Sequence, residues 1–180
     1  MKTLGCLIAA LVLVGCAQPQ YTVLGAQPQT TTTTTSTAAT WPELSNWEAG
    51  AIGENDVAVI VAVEDYAFLP DVPGAIQNAN DWEQYFKVQR GAKRVYTLTN
   101  TQATSEEILR FAKQAAAEAS EDGKVWFVFI GHGAPTQDGS DGALITMDAQ
   151  QTINSIQSRS IRRGALVAEL EKGSQQQTVV

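Results

Sequence analysis

At 180 residues the chain has room for about one domain. Its formal net charge is −7, from 12 Lys and Arg against 19 Asp and Glu, and no run of adjacent Lys and Arg exceeds a pair such as Arg162-Arg163. Nucleic-acid binding, which needs a basic stripe, is excluded, and the acidic balance speaks for solubility rather than for a particular partner.

Residues 1–16 read Met-Lys-Thr-Leu-Gly-Cys-Leu-Ile-Ala-Ala-Leu-Val-Leu-Val-Gly-Cys. Lys2 gives a positive start and Leu7–Val14 an apolar stretch far short of the ~20 residues of a stable bilayer span, the pattern of an export signal. Leu13-Val14-Gly15-Cys16 resembles the bacterial lipobox. That resemblance implies loss of residues 1–15, acylation of Cys16 as the mature amino terminus, and attachment to a membrane through lipid. A signal cut elsewhere, with Cys16 incidental, is the alternative. Two or three acyl chains anchor stably where one does not. Ala17 stands where inner-membrane retention calls for Asp, which points to the outer membrane, facing the periplasm or the cell surface. Cys6 would leave with the signal.

Residues 17–40 are Gln, Pro, Ala and above all Thr, unbroken over Thr30–Thr35. Such a stretch has little to bury, so 16–55 is expected as a lipidated terminus and tether with a reach of roughly 30–40 Å. Trp41, Leu44 and Trp47 are expected to pack onto the domain that follows, over 56–180.

That domain opens with Asp56–Val63, a continuous apolar run rich in β-branched residues, the mark of a strand buried on both faces. Pro70, Pro73 and Gly74 interrupt. Ile76, Ala79, Trp82 and Phe86 then recur at helical spacing to about Val88. Lys93–Leu98 alternates as a second strand. Thr104-Ser-Glu-Glu107 predicts a capping box for a helix carrying Ile108, Leu109, Ala112, Ala115, Ala116 and Ala119. Lys124–Ile130 is the most apolar strand of the chain, followed by Gly131-His132-Gly133. A Gly- and Asp-rich loop is expected to Gly142, then a short strand Ala143–Met147. A last helix is expected over about 160–172, with Gly173 as its C-cap. Gln177–Val180 reads as the start of a further strand. Strands alternating with helices predict an α/β fold with a mostly parallel sheet.

His132 is the only histidine. A lone histidine serves structure as readily as chemistry, but this one stands at the carboxyl end of a buried strand, the edge where open α/β sheets place their ligands. Gly131 and Gly133 clear both sides for a substrate backbone and permit unusual φ/ψ. A neutral imidazole there can act as general base or acid. No second His or thiolate is available to complete a metal site, and no Gly-x-Ser-x-Gly is present for a serine hydrolase.

Val57–Tyr66, the run Leu69-Pro-Asp-Val-Pro-Gly-Ala-Ile-Gln-Asn-Ala-Asn-Asp-Trp82, Trp126–Gly133 and Asp141-Gly142 with Leu144 together resemble the caspase-like peptidase domain, in the bacterial branch near metacaspases and orthocaspases. The resemblance implies a three-layer caspase-like sandwich and a cysteine endopeptidase acting on peptide or protein substrates without a cofactor. It makes His132 the catalytic histidine and the Gly133 amide an oxyanion donor. In that family the cysteine follows on the next parallel strand, within Asp-x-Cys-x-Gly. Here Gln177-Thr-Val-Val180 resembles the approach to it, so the expectation is a chain that stops before its nucleophile and does not cleave peptides as written. The family's substrate-binding positions fall at Asn78, where metacaspase-like members carry an acid, and near Val72, where caspases carry Arg. Neither matches; Asp65, Asp71 or Asp81 is a nearby substitute, although each also reads as a turn or surface acid. Some members respond to calcium, for which Asp138, Asp141 and Asp148 are candidates, although Asp-Gly-Ser-Asp-Gly is ordinary turn chemistry. The alternative reading is a non-catalytic caspase-like module that binds peptides or protein partners.

Overall fold

The structure, a computed structural model, describes residues 52–180. The signal, Cys6, Cys16, the Thr-rich tether and Trp41, Leu44 and Trp47 lie outside the described residues. No helix among the described residues is long and apolar enough to cross a membrane.

The chain is an α/β protein. β1 (Val57–Ala62) is buried at all six positions and sits inside a parallel sheet, between β2 (Arg94–Thr99) and β3 (Lys124–Ile130). β7 (Gln177–Val179) joins the far side of β3, also parallel, giving the order β2-β1-β3-β7. The alternation of β1 divides the core in two. Val57, Val59 and Val61 face α2 (Ser105–Glu118) and α4 (Arg163–Leu170), meeting Ile108, Ala112, Ala115, Leu166 and Leu170. Ala58, Ile60 and Ala62 face α1 (Ala75–Gln84), meeting Ala75, Ala79 and, just beyond it, Phe86. Both faces of β1 are thus covered by helices, which is why its sequence is an unbroken apolar run. Each fully buried Val or Ile contributes about 1.5–3 kcal/mol relative to exposure.

Local chemistry sets the helix boundaries. Thr104 caps α2 by accepting the Glu107 N–H at 3.3 Å, worth about 1 kcal/mol. The predicted reciprocal bond gives way to an ion pair, because the Glu107 carboxylate holds Arg110 at 2.7 Å. A complete capping box forms instead at Thr99 and Gln102, around the one-turn helix Asn100–Gln102. α1 starts without a side-chain cap at Gly74; Glu64, remote in sequence, accepts the Ile76 N–H at 3.0 Å. The helix then widens to π geometry over Tyr85–Gln89, the stretch ending near the predicted Val88 boundary.

Three short elements depart from the sequence expectation. The Gly-rich loop after His132 begins with β4 (Gly133–Pro135), which pairs antiparallel with β5 (Gly142–Ile145). α3 (Ile153–Ser158) follows, capped by Thr152 on the Ser155 N–H at 3.2 Å. The expected helix over 160–172 is divided: β6 (Ser160–Arg162) completes a second sheet in the order β4-β5-β6, and α4 begins only at Arg163. Ile161 is apolar like Leu166 and Leu170, but it is buried on the strand paired with Leu144 and not on the helix that carries them. Gly173 is not a left-handed cap either. A Cβ there would collide with the Ala116 carbonyl and the Gln175 side chain, so glycine serves the close approach to the end of α2.

At the amino end of the parallel sheet, Asp56 is 3 % exposed and serves four donors. Its Oδ2 accepts from Arg90 Nη2 at 2.7 Å and Nε at 3.2 Å and from Trp126 Nε1 at 2.8 Å; its Oδ1 accepts the Lys124 N–H at 2.9 Å. The Arg90 guanidinium also lies 4.7 Å from the Trp126 ring centre. This cluster ties the starts of β1 and β3 together and leaves their carboxyl ends for the site.

Candidate active site

In the order β2-β1-β3-β7 the connections leave β1 in opposite directions, so the crevice between the carboxyl ends of β1 and β3 is the switch point where open α/β sheets receive ligands. His132 and the loop after β1 meet there. The Val63 N–H extends the ladder to Ile130 O at 2.9 Å, and the chain then turns through residues 64–74. That turn is pinned at several points. Asn100, in left-handed conformation at φ 43°, receives the Glu64 and Asp65 amides on its Oδ1 at 2.9 and 3.1 Å. Asp71 accepts the Tyr66 N–H at 3.3 Å, and Val72 N–H reaches Glu64 O at 2.9 Å.

The turn delivers two groups to His132. The Pro70 carbonyl lies 2.8 Å from His132 Nε2. A carbonyl can only accept, so Nε2 carries the hydrogen of the neutral ring and Nδ1 keeps its lone pair. Among the described residues no side chain or backbone group pairs with Nδ1. Tyr66 brings the second group. Its ring packs on the imidazole, centre to centre 4.8 Å, and its hydroxyl accepts the His132 N–H at 2.8 Å while donating to Ile145 O at 3.1 Å. Ile145 N–H in turn bonds His132 O at 3.0 Å. His132 and Ile145 thus form a hydrogen-bonded antiparallel pair in which a phenol replaces one direct bond. This insertion is where the chain leaves the parallel sheet for the antiparallel one. Burial raises the Tyr66 hydroxyl above its ordinary value, opposed by the His132 amide, so it remains a neutral donor at physiological pH.

The same ladder orients Gly133. Pairs alternate along an antiparallel ribbon, so Gly133, opposite Leu144, turns its N–H and C=O away from β5 toward the open edge of β4. Gly131 has a different task from the one read in the sequence. Neither flanking glycine has the positive φ that glycine alone tolerates freely, and a Cβ on Gly131 would stand 2.6 Å from the Tyr66 hydroxyl. Gly131 makes room for Tyr66, not for substrate. Gly131→Ala is therefore expected to push the hydroxyl out of its bridge, and Tyr66→Phe to leave a buried N–H and C=O unpaired at about 1–3 kcal/mol. Because both changes break one bridge, the double variant should lose clearly less stability than the sum, by urea unfolding of both single variants and the pair.

The remaining sequence candidates do not join His132. Asn78 is exposed near the start of α1. Asp65 is taken by Asn100, whose Nδ2 donates to it at 2.6 Å, Asp71 by Tyr66, and Asp81 accepts from Gln77 at 3.0 Å. Val72 is half-buried against both cores. The three acids considered for calcium each hold an arginine of their own: Asp138 with Arg162 at 3.2 Å, Asp141 with Arg163 at 3.5 Å, and Asp148 with Arg159. Among the described residues no three His, Cys, Asp or Glu side chains converge as a metal cage would require.

Those acids are stabilised as carboxylates. The Thr136 hydroxyl and the Ser140 amide hold Asp138 far below the usual range, and the Gly164 amide lowers Asp141. Desolvation pushes Asp148 up, but Thr146 and Arg159 together outweigh it. Groups depressed in the folded state add stability that is complete above the unfolded carboxylate value of about 3.9 and vanishes as pH falls through the folded values. Asp141→Asn should therefore lower stability at pH 7, and the gap to the parent should close below about pH 4, measured by urea unfolding across pH 2–7.

Neither a scan against protein-family models nor a search of curated proteins finds a match to this chain. The reading of the site therefore stands on its geometry. Sequence patterns located His132 and Gly133, whereas Tyr66 and the Pro70 carbonyl were missed. A single aromatic just past an apolar strand has no periodicity to betray it, and a backbone carbonyl has no sequence signal beyond the turn that aims it.

Proposed function

We propose that residues 56–180 carry the histidine half of a caspase-like, three-layer cysteine endopeptidase domain, held at the outer membrane by lipid on Cys16. One observation carries this reading: β7 runs parallel beside the strand that ends in His132, with Lys124 opposite Gln177 and Trp126 opposite Val179. A continuation in that register draws level with His132 about five residues past Val180. A thiol there would stand near an imidazole whose Nδ1 is free and whose Nε2 is anchored.

The chemistry follows from those atoms. Nδ1 takes the thiol proton, and the thiolate sulfur attacks the peptide carbonyl carbon. The carbonyl oxygen becomes an oxyanion before the outward Gly133 N–H. The imidazolium, steadied by the Pro70 carbonyl, returns its proton to the departing amine, and water then cleaves the thioester. No cofactor enters this sequence.

A second reading, a module that binds peptides without cleaving them, is supported by the uncharged Val72 and Asn78. Reading the source gene past codon 180 separates the two. An in-frame cysteine about five residues on, with thiol-dependent cleavage by the whole gene product, supports the peptidase. A stop, or a continuation without cysteine, overturns it in favour of the binding module.

A further inference from the structure

Against the ring of His132 lies a cleft of about 200 Å³, walled by Leu69, Ala134, Ile145 and Ile156. No Asp, Glu, Lys or Arg is among the described residues that line it. Of its polar neighbours, the Pro70 carbonyl holds His132 Nε2 and the Tyr66 hydroxyl bridges His132 and Ile145, which leaves His132 Nδ1 and the Gly133 backbone groups to meet a visitor. Two exposed apolar side chains adjoin these walls along the chain. Ile153 shares a face of α3 with Ile156, three residues on, and is 71 % exposed; Phe68, next to Leu69, is 55 % exposed. A wider groove of about 560 Å³ along Thr136, Gln137, Asp138, Gln157 and Arg162 does not include His132, and its Asp138–Arg162 pair closes on itself.

Shape and chemistry restrict what the His132 cleft can hold. A closed apolar cavity on the order of 150 Å³ accommodates benzene, so this volume suits a leucine or phenylalanine side chain. A charged group would lose hydration there without meeting an opposite charge on a side chain of the described walls other than the imidazole that the reaction uses. The main chain of a visitor also has a place to lie. β4 is the outer strand of its sheet, and Gly133 turns both backbone groups toward the open edge, where an extended peptide can pair.

We infer that this cleft is the subsite for an apolar side chain on the peptide residue whose amine faces His132. The direction rests on the peptidase reading: the imidazole protonates the departing amine, and the side chain of that same residue is the one that falls against the ring wall. Selection at this site is thus by apolar bulk on the leaving side of the scissile bond.

His132 being the only histidine, its imidazole gives a single identifiable signal in ¹⁵N-labelled full chain. The probes are tripeptide amides with a free amino terminus: Leu-Gly-Gly, Asp-Gly-Gly, Lys-Gly-Gly and Gly-Gly-Gly. The Leu peptide should move the ring signal with an affinity about tenfold or more above the other three. Ile156→Asp should abolish that preference, and Ile153→Asp, exposed on the same face of α3 and without consequence for folding, should weaken it several-fold. Equal affinities, tighter binding of Asp or Lys, a preference surviving both variants, or no response to any peptide overturns the subsite. The outcomes separate from those above. Apolar selection in a gene without the cysteine keeps the subsite and removes the peptidase, and cleavage without apolar selection does the reverse.

Discussion

Asp56→Ala is expected to cost about 3–5 kcal/mol of folding stability, the usual consequence of removing one partner from a buried ion pair. The carboxylate satisfies the Arg90 guanidinium, the Trp126 indole N–H and the Lys124 amide together, with Asp56 almost wholly enclosed. Alanine removes the acceptor that these three groups share, and the guanidinium keeps its charge whatever the pH. For a domain of this size the loss corresponds to a fall in Tm of roughly 10–20 °C. Arg90→Leu should cost less, because Asp56 keeps its bonds from Trp126 and Lys124. Guanidinium unfolding of the three proteins decides the matter. A cost below about 1 kcal/mol for Asp56→Ala would place the pair among solvated surface pairs and remove it as the clamp on β1 and β3.

The same cluster shows where sequence reading works and where it stops. Asp56 opens an apolar run whose type, buried parallel strand, follows from composition because both faces of β1 meet helices. α1 and α2 were legible for the complementary reason: Ala79 and Phe86, or Ile108, Ala112 and Ala115, line one face each. β4, α3 and β6 were not, since three to six residues leave no room for a period to repeat. Ile161 misled for the same reason, as one buried residue fits a helix or a strand equally well. Long-range polar contacts are silent in sequence: nothing near Asp56 announces Arg90, and nothing near Ile76 announces Glu64. For the site, the strand ending in Gly-His-Gly revealed the edge and its imidazole. The Tyr66 bridge depends on the register between β4 and β5, which sets His132 opposite Ile145 only after the fold has formed.

On the peptidase reading, His132→Ala in the product of the whole gene should lower kcat/KM by about 10²–10⁴, the range set by general acid–base catalysis. The loss should fall on kcat with KM little changed, because the proton transfers it removes occur only in the transition states. The fold should persist. The ring is only partly buried, and the backbone bonds of residue 132 to Tyr66 and Ile145 survive the substitution. Tyr66→Phe provides the contrast: it keeps both imidazole nitrogens but frees the segment that aims them, so its effect on kcat should be smaller and its effect on stability larger. Steady-state kinetics beside urea unfolding of the two variants tests this crossing of effects. Full activity in His132→Ala would detach the histidine from the chemistry. A stability loss in it equal to that of Tyr66→Phe would make the histidine a structural residue of the strand end.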